Sequence, residues 1–132
     1  TENAGFTTGT PWIMVNPNYK EINAKDQLER EDSVFRFYQK LIRLRKEHEI
    51  IVYGNYDLLL PEDRELYVYT RTFGNEKLLV VCNFYGNART LALPAGWTKA
   101  GSKLLIGNYE DISCKEDAIT VRPYEAFVLK TS

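Results

Sequence analysis

The residues of this sequence best suited to chemistry are carboxylates, in three runs: Glu62, Asp63 and Glu65; Glu110 and Asp111; Glu116 and Asp117. A working acid and base need environments that push their pKa values apart, which means a cleft with apolar walls. All seven lie in turn-like, polar stretches, so solvated surface carboxylates are expected and no catalytic residue is assigned. The only histidine, His48, falls at the end of a helical pattern, where a dipole or capping role is the simpler reading. No Gly-x-Ser-x-Gly elbow is present, and Gly5-Phe6-Thr7-Thr8-Gly9-Thr10 lacks the lysine of a phosphate loop. No Cys or His pair has ligand spacing, so no metal and no cofactor are expected. Trp97, Tyr85 and Tyr109 stand at strand ends or turns, as stacking platforms for a sugar or as lids on the core.

Composition narrows the classes further. The 132 residues carry 17 basic and 18 acidic side chains, a formal net charge of -1, with no basic field for nucleic acid or a membrane surface. At 44% hydrophobic and 13% aromatic, the chain can build an ordinary globular core. No apolar run approaches the roughly 20 residues of a membrane span. Cys82 lies in the apolar run 78–82 and reads as a buried thiol, while Cys114 lies in a polar, turn-like region. Two settings so different argue against a disulfide and for a reducing, cytoplasmic compartment.

The pattern along the chain changes twice. Residues 1–32 are irregular, ending in a charged run at 25–32 that suits either a helical extension or a solvated loop. Residues 33–48 predict one helix: Val34, Phe37, Tyr38, Leu41, Ile42 and Leu44 recur at three- and four-residue intervals. Asp32 is placed to cap it, and the breadth of the apolar face predicts packing on both flanks. From residue 50 the period becomes two. Strands are expected at 51–56, 66–73, 77–84, 89–93, 103–106, 118–121 and 126–129, with Gly74-Asn75 turning the second into the third. The third is apolar on both faces and should be central. The expected fold is mainly β, an antiparallel, Greek-key-like sandwich preceded by one α-helix and an irregular lead-in.

That lead-in is unusual. Residues 3–12 are rich in Gly, Thr and Pro, which suits neither helix nor central strand, yet they carry Phe6 and Trp12. Aromatic residues on such a loop press against a ligand or a neighbouring wall. A loop of this kind opening the chain suggests a piece of a larger protein.

Asn3-Ala4-Gly5-Phe6-Thr7-Thr8-Gly9-Thr10-Pro11-Trp12-Ile13, then Val15-Asn16-Pro17-Asn18-Tyr19 and Ile22-Asn23, resembles the final barrel loop of oligo-1,6-glucosidases of the alpha-amylase superfamily. The likeness continues through Phe37-Tyr38-Gln39-Lys40-Leu41-Ile42, Val52-Tyr53-Gly54, Tyr69-Thr70-Arg71, residues 79–84 and Pro123-Tyr124-Glu125-Ala126. Met14 departs from the Pro expected there in many relatives. The resemblance implies that residues 1–48 are the last loop and helix of a TIM-type barrel and residues 49–132 a C-terminal antiparallel β domain. It also implies a retaining glycosidase with an aspartate nucleophile and a glutamate acid/base, held about 5–5.5 Å apart. Those motifs lie upstream of the Asn3 loop and none has a match here.

The function expected from the resemblance is therefore that of a non-catalytic part of an alpha-glucosidase acting on short alpha-1,6-linked glucosides. Its β domain would pack on and stabilise the barrel, its principal partner. Asn3 and Phe6 are expected near the oligosaccharide substrate in that parent, and the apolar lead-in offers a route to self-association. The parent is alternatively a sucrose isomerase or another transferring relative. Two further readings remain open: an autonomous carbohydrate-binding module with Trp97 and Tyr109 as stacking residues, and a secreted β-sandwich with a Cys82–Cys114 bridge.

Overall fold

A computed structural model describes residues 1–115 and 118–131, so Glu116 and Asp117 lie outside the described residues. The chain divides into two compact units, residues 1–47 and residues 48–132.

The first unit is built by side-chain caps more than by a core. A tight turn at Glu2–Gly5 leads to a short 3-10 turn at Pro17–Lys20. Helix α1, Ala24–Glu29, begins at Asn23, whose side chain accepts the Asp26 N–H at 3.0 Å and donates to the Asp26 carboxylate at 2.8 Å. The charged run 25–32 thus resolves into one helical segment and a turn. Helix α2, Val34–Glu47, is capped by Ser33 rather than by the expected Asp32. Ser33 Oγ accepts the Arg36 N–H at 3.2 Å and donates to Gln27 O at 2.6 Å, tying α2 back to α1. Asp32 instead pairs with Arg30 at 2.9 Å.

The expected burial of α2 on both flanks is not met within its own unit. The helix buries none of its side chains, and Val34, Tyr38 and Ile42 are each more than half exposed. Its own unit supplies only the six residues of α1 as an apolar neighbour, too little to cover so wide a face. Ser33 is the one buried residue of the unit, and it is polar.

The second unit is a two-sheet antiparallel sandwich with a one-turn helix in front. Residues 51–56 do not form the expected strand. Ile50–Tyr53 is helix α3 and strand β1 is Asn55–Leu58. The reason lies far along the chain: the Arg71 guanidinium donates to Ile50 O at 3.1 Å and Gly54 O at 2.7 Å, holding the helical turn closed. Gly54 is required there, because a Cβ would stand 2.5 Å from Ile50 O.

Strands β2, Leu66–Phe73, and β3, Glu76–Asn83, form the expected hairpin about Gly74-Asn75, with Gly74 at φ 58°. β4 is Arg89–Ala92, β5 Lys103–Gly107, β6 Ser113–Lys115, β7 Ala118–Val121 and β8 Ala126–Thr131. One sheet runs β1-β2-β3-β8-β5 and the other β4-β7-β6, with β3 central as its two apolar faces require. Strand β6 was not expected. Its Cys114, placed in a polar turn by the sequence reading, is buried in the core, while Cys82 is only half-buried. The two form no bridge.

Register defines the faces of the larger sheet. Leu66, Val68, Leu79, Val81, Phe127 and Leu129 turn inward and meet Leu91, Ile119 and Val121 of the smaller sheet. Tyr67, Tyr69, Arg71 and Phe73 alternate with the inward positions and share the outer face with Tyr56 and Leu58 of β1.

Candidate functional site

Three of the carboxylates singled out in the sequence, Asp63, Glu65 and Asp111, fall into two arginine clamps. Asp63 closes the turn into β2: its Oδ1 accepts the N–H groups of Glu65 and Leu66, both at 2.9 Å. Arg89 on β4 forks between Asp63, at 3.0 Å, and Glu65. The two main-chain N–H bonds, then Arg89, hold the Asp63 carboxyl below the usual carboxylate range. A general acid needs the opposite shift, so this pair is structural. These two are clamped rather than simply solvated, whereas Glu62 and Glu110 are exposed as expected.

The Asp63 cap carries a pH dependence with a definite sign. Its folded pKa lies below its unfolded value of about 3.9, so its contribution is present above that value and lost as pH falls through the folded pKa. An Asp63→Asn variant is expected to be less stable than wild type at pH 7, with the deficit shrinking by pH 3. Urea midpoints at the two pH values measure this, and a deficit of equal size at both would exclude it.

The second clamp was not anticipated. Glu125 is 1% exposed, and its carboxylate accepts Arg122 Nη2 at 2.6 Å and the Arg122 N–H at 2.6 Å. Arg122 also donates to Asp111 Oδ1 at 2.9 Å and lies over the Tyr109 ring, 4.1 Å from its centroid. The Tyr109 hydroxyl donates to Pro123 O at 2.9 Å. Asn83 donates to Arg122 O at 2.9 Å, and Asn108 donates to Tyr124 O at 2.8 Å. Between these anchors Tyr124 is held at φ 54° with its ring 64% exposed. The motif Pro123-Tyr124-Glu125-Ala126 is thus a strained turn over a buried carboxylate. In sequence Glu125 lies between the end of β7 and the start of β8, three residues after Arg122, a spacing that by itself does not mark the carboxylate as buried.

The proposed stacking residues part company. Trp97 is 6% exposed and belongs to the core. The turn Pro94-Ala95-Gly96, with Gly96 at φ 84° and the Trp97 N–H on Pro94 O at 3.0 Å, tips the indole inward. A buried ring offers no platform. Tyr109 is partly exposed, but one face of its ring is taken by Arg122. His48 Nδ1 lies 3.3 Å from Lys130 Nζ, which also pairs with Glu76.

Two surfaces remain open. On the outer face of the larger sheet, the Tyr56 and Tyr69 rings lie 5.1 Å apart and those of Tyr67 and Tyr69 5.2 Å apart. The Tyr56 and Tyr67 hydroxyls share a hydrogen bond of 3.0 Å, which pushes the Tyr56 phenol up to about 12. The rings tilt by 40° and 51°, so they present an uneven apolar patch, not a flat one. Sequence reasoning passed over this cluster although Tyr67 and Tyr69 are spaced to share a face.

In the first unit, residues 4–19 wall a hollow of about 480 Å³ with Phe6, Trp12, Ile13 and Tyr19 among its lining. Phe6 is 85% and Trp12 94% exposed, whereas Asn3 is half-buried with its amide bonded to Thr7 O and Gly9 O. No group of three potential metal ligands occurs among the described residues, nor any helix long and apolar enough to cross a membrane. What these surfaces can do is bind; neither clamp supplies an acid and a base.

Comparison with known proteins agrees with the sequence resemblance. Residues 1–54 match the family described as alpha amylase, catalytic domain, and residues 66–128 the alpha-amylase SusG C-terminal domain. The oligo-1,6-glucosidase of Parageobacillus thermoglucosidasius is 54% identical over 131 residues, 98% of this chain and 23% of that protein. The structure of trehalose-6-phosphate hydrolase from Bacillus licheniformis superposes with a TM-score of 0.90 at 48% identity, covering 100% of this chain and 24% of that one. An isomaltulose synthase from Klebsiella gives 0.86 at 40% identity, with coverage of 100% and 24%. The chain therefore spans about a quarter of the length of the relatives it matches.

Proposed function

Since the chain belongs to the alpha-amylase superfamily, as the C-terminal part of an oligo-1,6-glucosidase-like protein, we propose that its parent is a retaining alpha-glucosidase that hydrolyses short alpha-1,6-linked glucosides. In this reading residues 1–48 complete the catalytic barrel, and residues 49–132 pack on it and stabilise it without contributing a catalytic group. The observation that carries the substrate class is the match of 98% of this chain, at 54% identity, to a segment making up 23% of the P. thermoglucosidasius oligo-1,6-glucosidase.

Two features support the supporting role. Among the described residues of the β unit, Asp63, Glu65, Asp111 and Glu125 are held by arginines and Glu76 by Lys130, which favours a supporting role over an acid–base one. The unit also keeps an apolar patch at Tyr56, Leu58 and Tyr67 outside its own core, each more than 40% exposed. The partner that fits this patch is the barrel, since the relatives are about four times as long as this chain. The apolar face of α2 and the Phe6–Trp12 loop point to the same partner.

The experiment is a comparison of the full-length protein with the 132-residue chain on isomaltose, trehalose 6-phosphate and sucrose. The full-length protein is expected to release glucose fastest from isomaltose. The chain alone is expected to show none of the rate acceleration of about 10⁶-fold or more that a glycosidase supplies. Turnover by the chain alone would end the non-catalytic reading. Preference for trehalose 6-phosphate, or isomerisation of sucrose, would replace the substrate class.

A further inference from the structure

The outer face of the larger sheet carries a second, smaller buried site. Ile50 and Leu78 are fully buried, yet neither belongs to the core cluster between the sheets. Leu78 alternates with the inward Leu79 and so faces outward, and α3 packs against its strand and against β2. The register partners of Leu78 are Arg71 on β2 and Lys130 on β8, so the three residues form one row across three strands.

Both ends of that row grip the same short segment, residues 48–54. Arg71 Nε donates to Ile50 O at 3.1 Å, and its Nη2 donates to Gly54 O at 2.7 Å and Val52 O at 3.4 Å. Carbonyls at a helix C-terminus lack intrahelical donors, and a guanidinium fork can serve several at once. At the other end Lys130 Nζ, which can only donate, reaches His48 Nδ1 at 3.3 Å while keeping its pair with Glu76. A single helical turn is not stable alone, so α3 depends on this row for its shape.

The place of the segment gives the grip its consequence. Helix α2 ends at Glu47 and α3 begins at Ile50, with only His48 and Glu49 between them. An ordinary helix-to-strand connection is a short solvated loop. Here a buried side chain and long-range hydrogen bonds are committed to the residues that α2 runs into, and α2 itself buries none of its side chains.

We infer that the Arg71–Leu78–Lys130 row is a seat for the end of α2: by fixing residues 48–54 on the sheet it keeps the last turns of the helix closed. The inference deepens the supporting role proposed above by naming residues through which the β unit exerts it. The seat itself does not depend on the substrate.

The test is hydrogen exchange, read by mass spectrometry, on the full-length protein and its Arg71→Met, Lys130→Met and Arg89→Met variants. Arg89→Met removes an arginine from the Asp63 clamp of the same unit and controls for general loss of stability. In Arg71→Met, exchange is expected to accelerate about tenfold in residues 48–54 and about threefold or more in residues 40–47. Lys130→Met frees the other end of the row and should accelerate the same two stretches about threefold, which decides the matter even if Arg71→Met fails to fold. Arg89→Met should leave both at the wild-type rate. Acceleration confined to residues 48–54 would overturn the proposal, since the row would then cap α3 and nothing more. Equal acceleration of residues 40–47 in Arg89→Met would overturn it too. Hydrolysis of isomaltose by the wild-type protein tests the function reading separately: if isomaltose is untouched that reading fails, and the exchange pattern still upholds or overturns the seat.

Discussion

A Trp97→Ala substitution is expected to destabilise the β unit by about 3–5 kcal/mol, because it empties a core site and the cavity left behind collapses only in part. Trp97 is 6% exposed and packs in the cluster that joins the two sheets. For a unit of about 85 residues this corresponds to a fall in Tm of roughly 12–40 °C. Fluorescence offers an internal control, since Trp97 is buried and Trp12 is 94% exposed. The variant should lose the blue-shifted part of the emission and keep the part centred near that of free indole in water. An unchanged Tm combined with lost binding of an oligosaccharide would reverse the assignment and restore Trp97 as a sugar platform.

Removing Glu125 is the second large effect. A Glu125→Leu variant leaves Arg122 without its innermost partner and strips the Arg122 N–H of its acceptor. Arg122 keeps Asp111 and reaches solvent, so the cost lies chiefly in the main-chain N–H left without its acceptor, about 1–3 kcal/mol. The fall in Tm should be roughly 4–24 °C. The turn should loosen with it, because Tyr124 at φ 54° stands beside this carboxylate, between the bonds from Asn83 and Asn108 and its own N–H on Tyr85 O at 3.1 Å. Glu125→Gln retains an acceptor for the Arg122 N–H and should lose about half as much. Equal loss in both variants would show that charge, not the acceptor geometry, carries the stability.

Much of the fold was legible because its signals are local. Gly74-Asn75 between two aromatic and β-branched runs specifies a hairpin, and apolar residues on both faces of 78–82 place that strand at the centre. What escaped was decided at a distance. Ile51-Val52-Tyr53 has strand-like composition, yet Arg71 reaches its carbonyls from the next strand but one in the chain and keeps it helical. Cys114 is a single apolar residue between two exposed ones, a pattern too short to show period two. Asp32 and Ser33 are both good caps, and only the Gln27 carbonyl beside Ser33 decides between them. The clamps on Asp63 and Glu125 were not legible, since their arginines sit on other strands or across a turn.

The cap at Ser33 carries one more implication. Residues 1–47 fully bury only the Ser33 side chain, with Phe37 and Leu44 no more than half-buried, so they have little apolar interior to expose on heating. A segment with so little buried apolar surface contributes little to the heat-capacity change of unfolding. Such a stretch has no melting temperature of its own; its helices fray gradually, and it becomes a cooperative structure only as part of whatever it is pressed against.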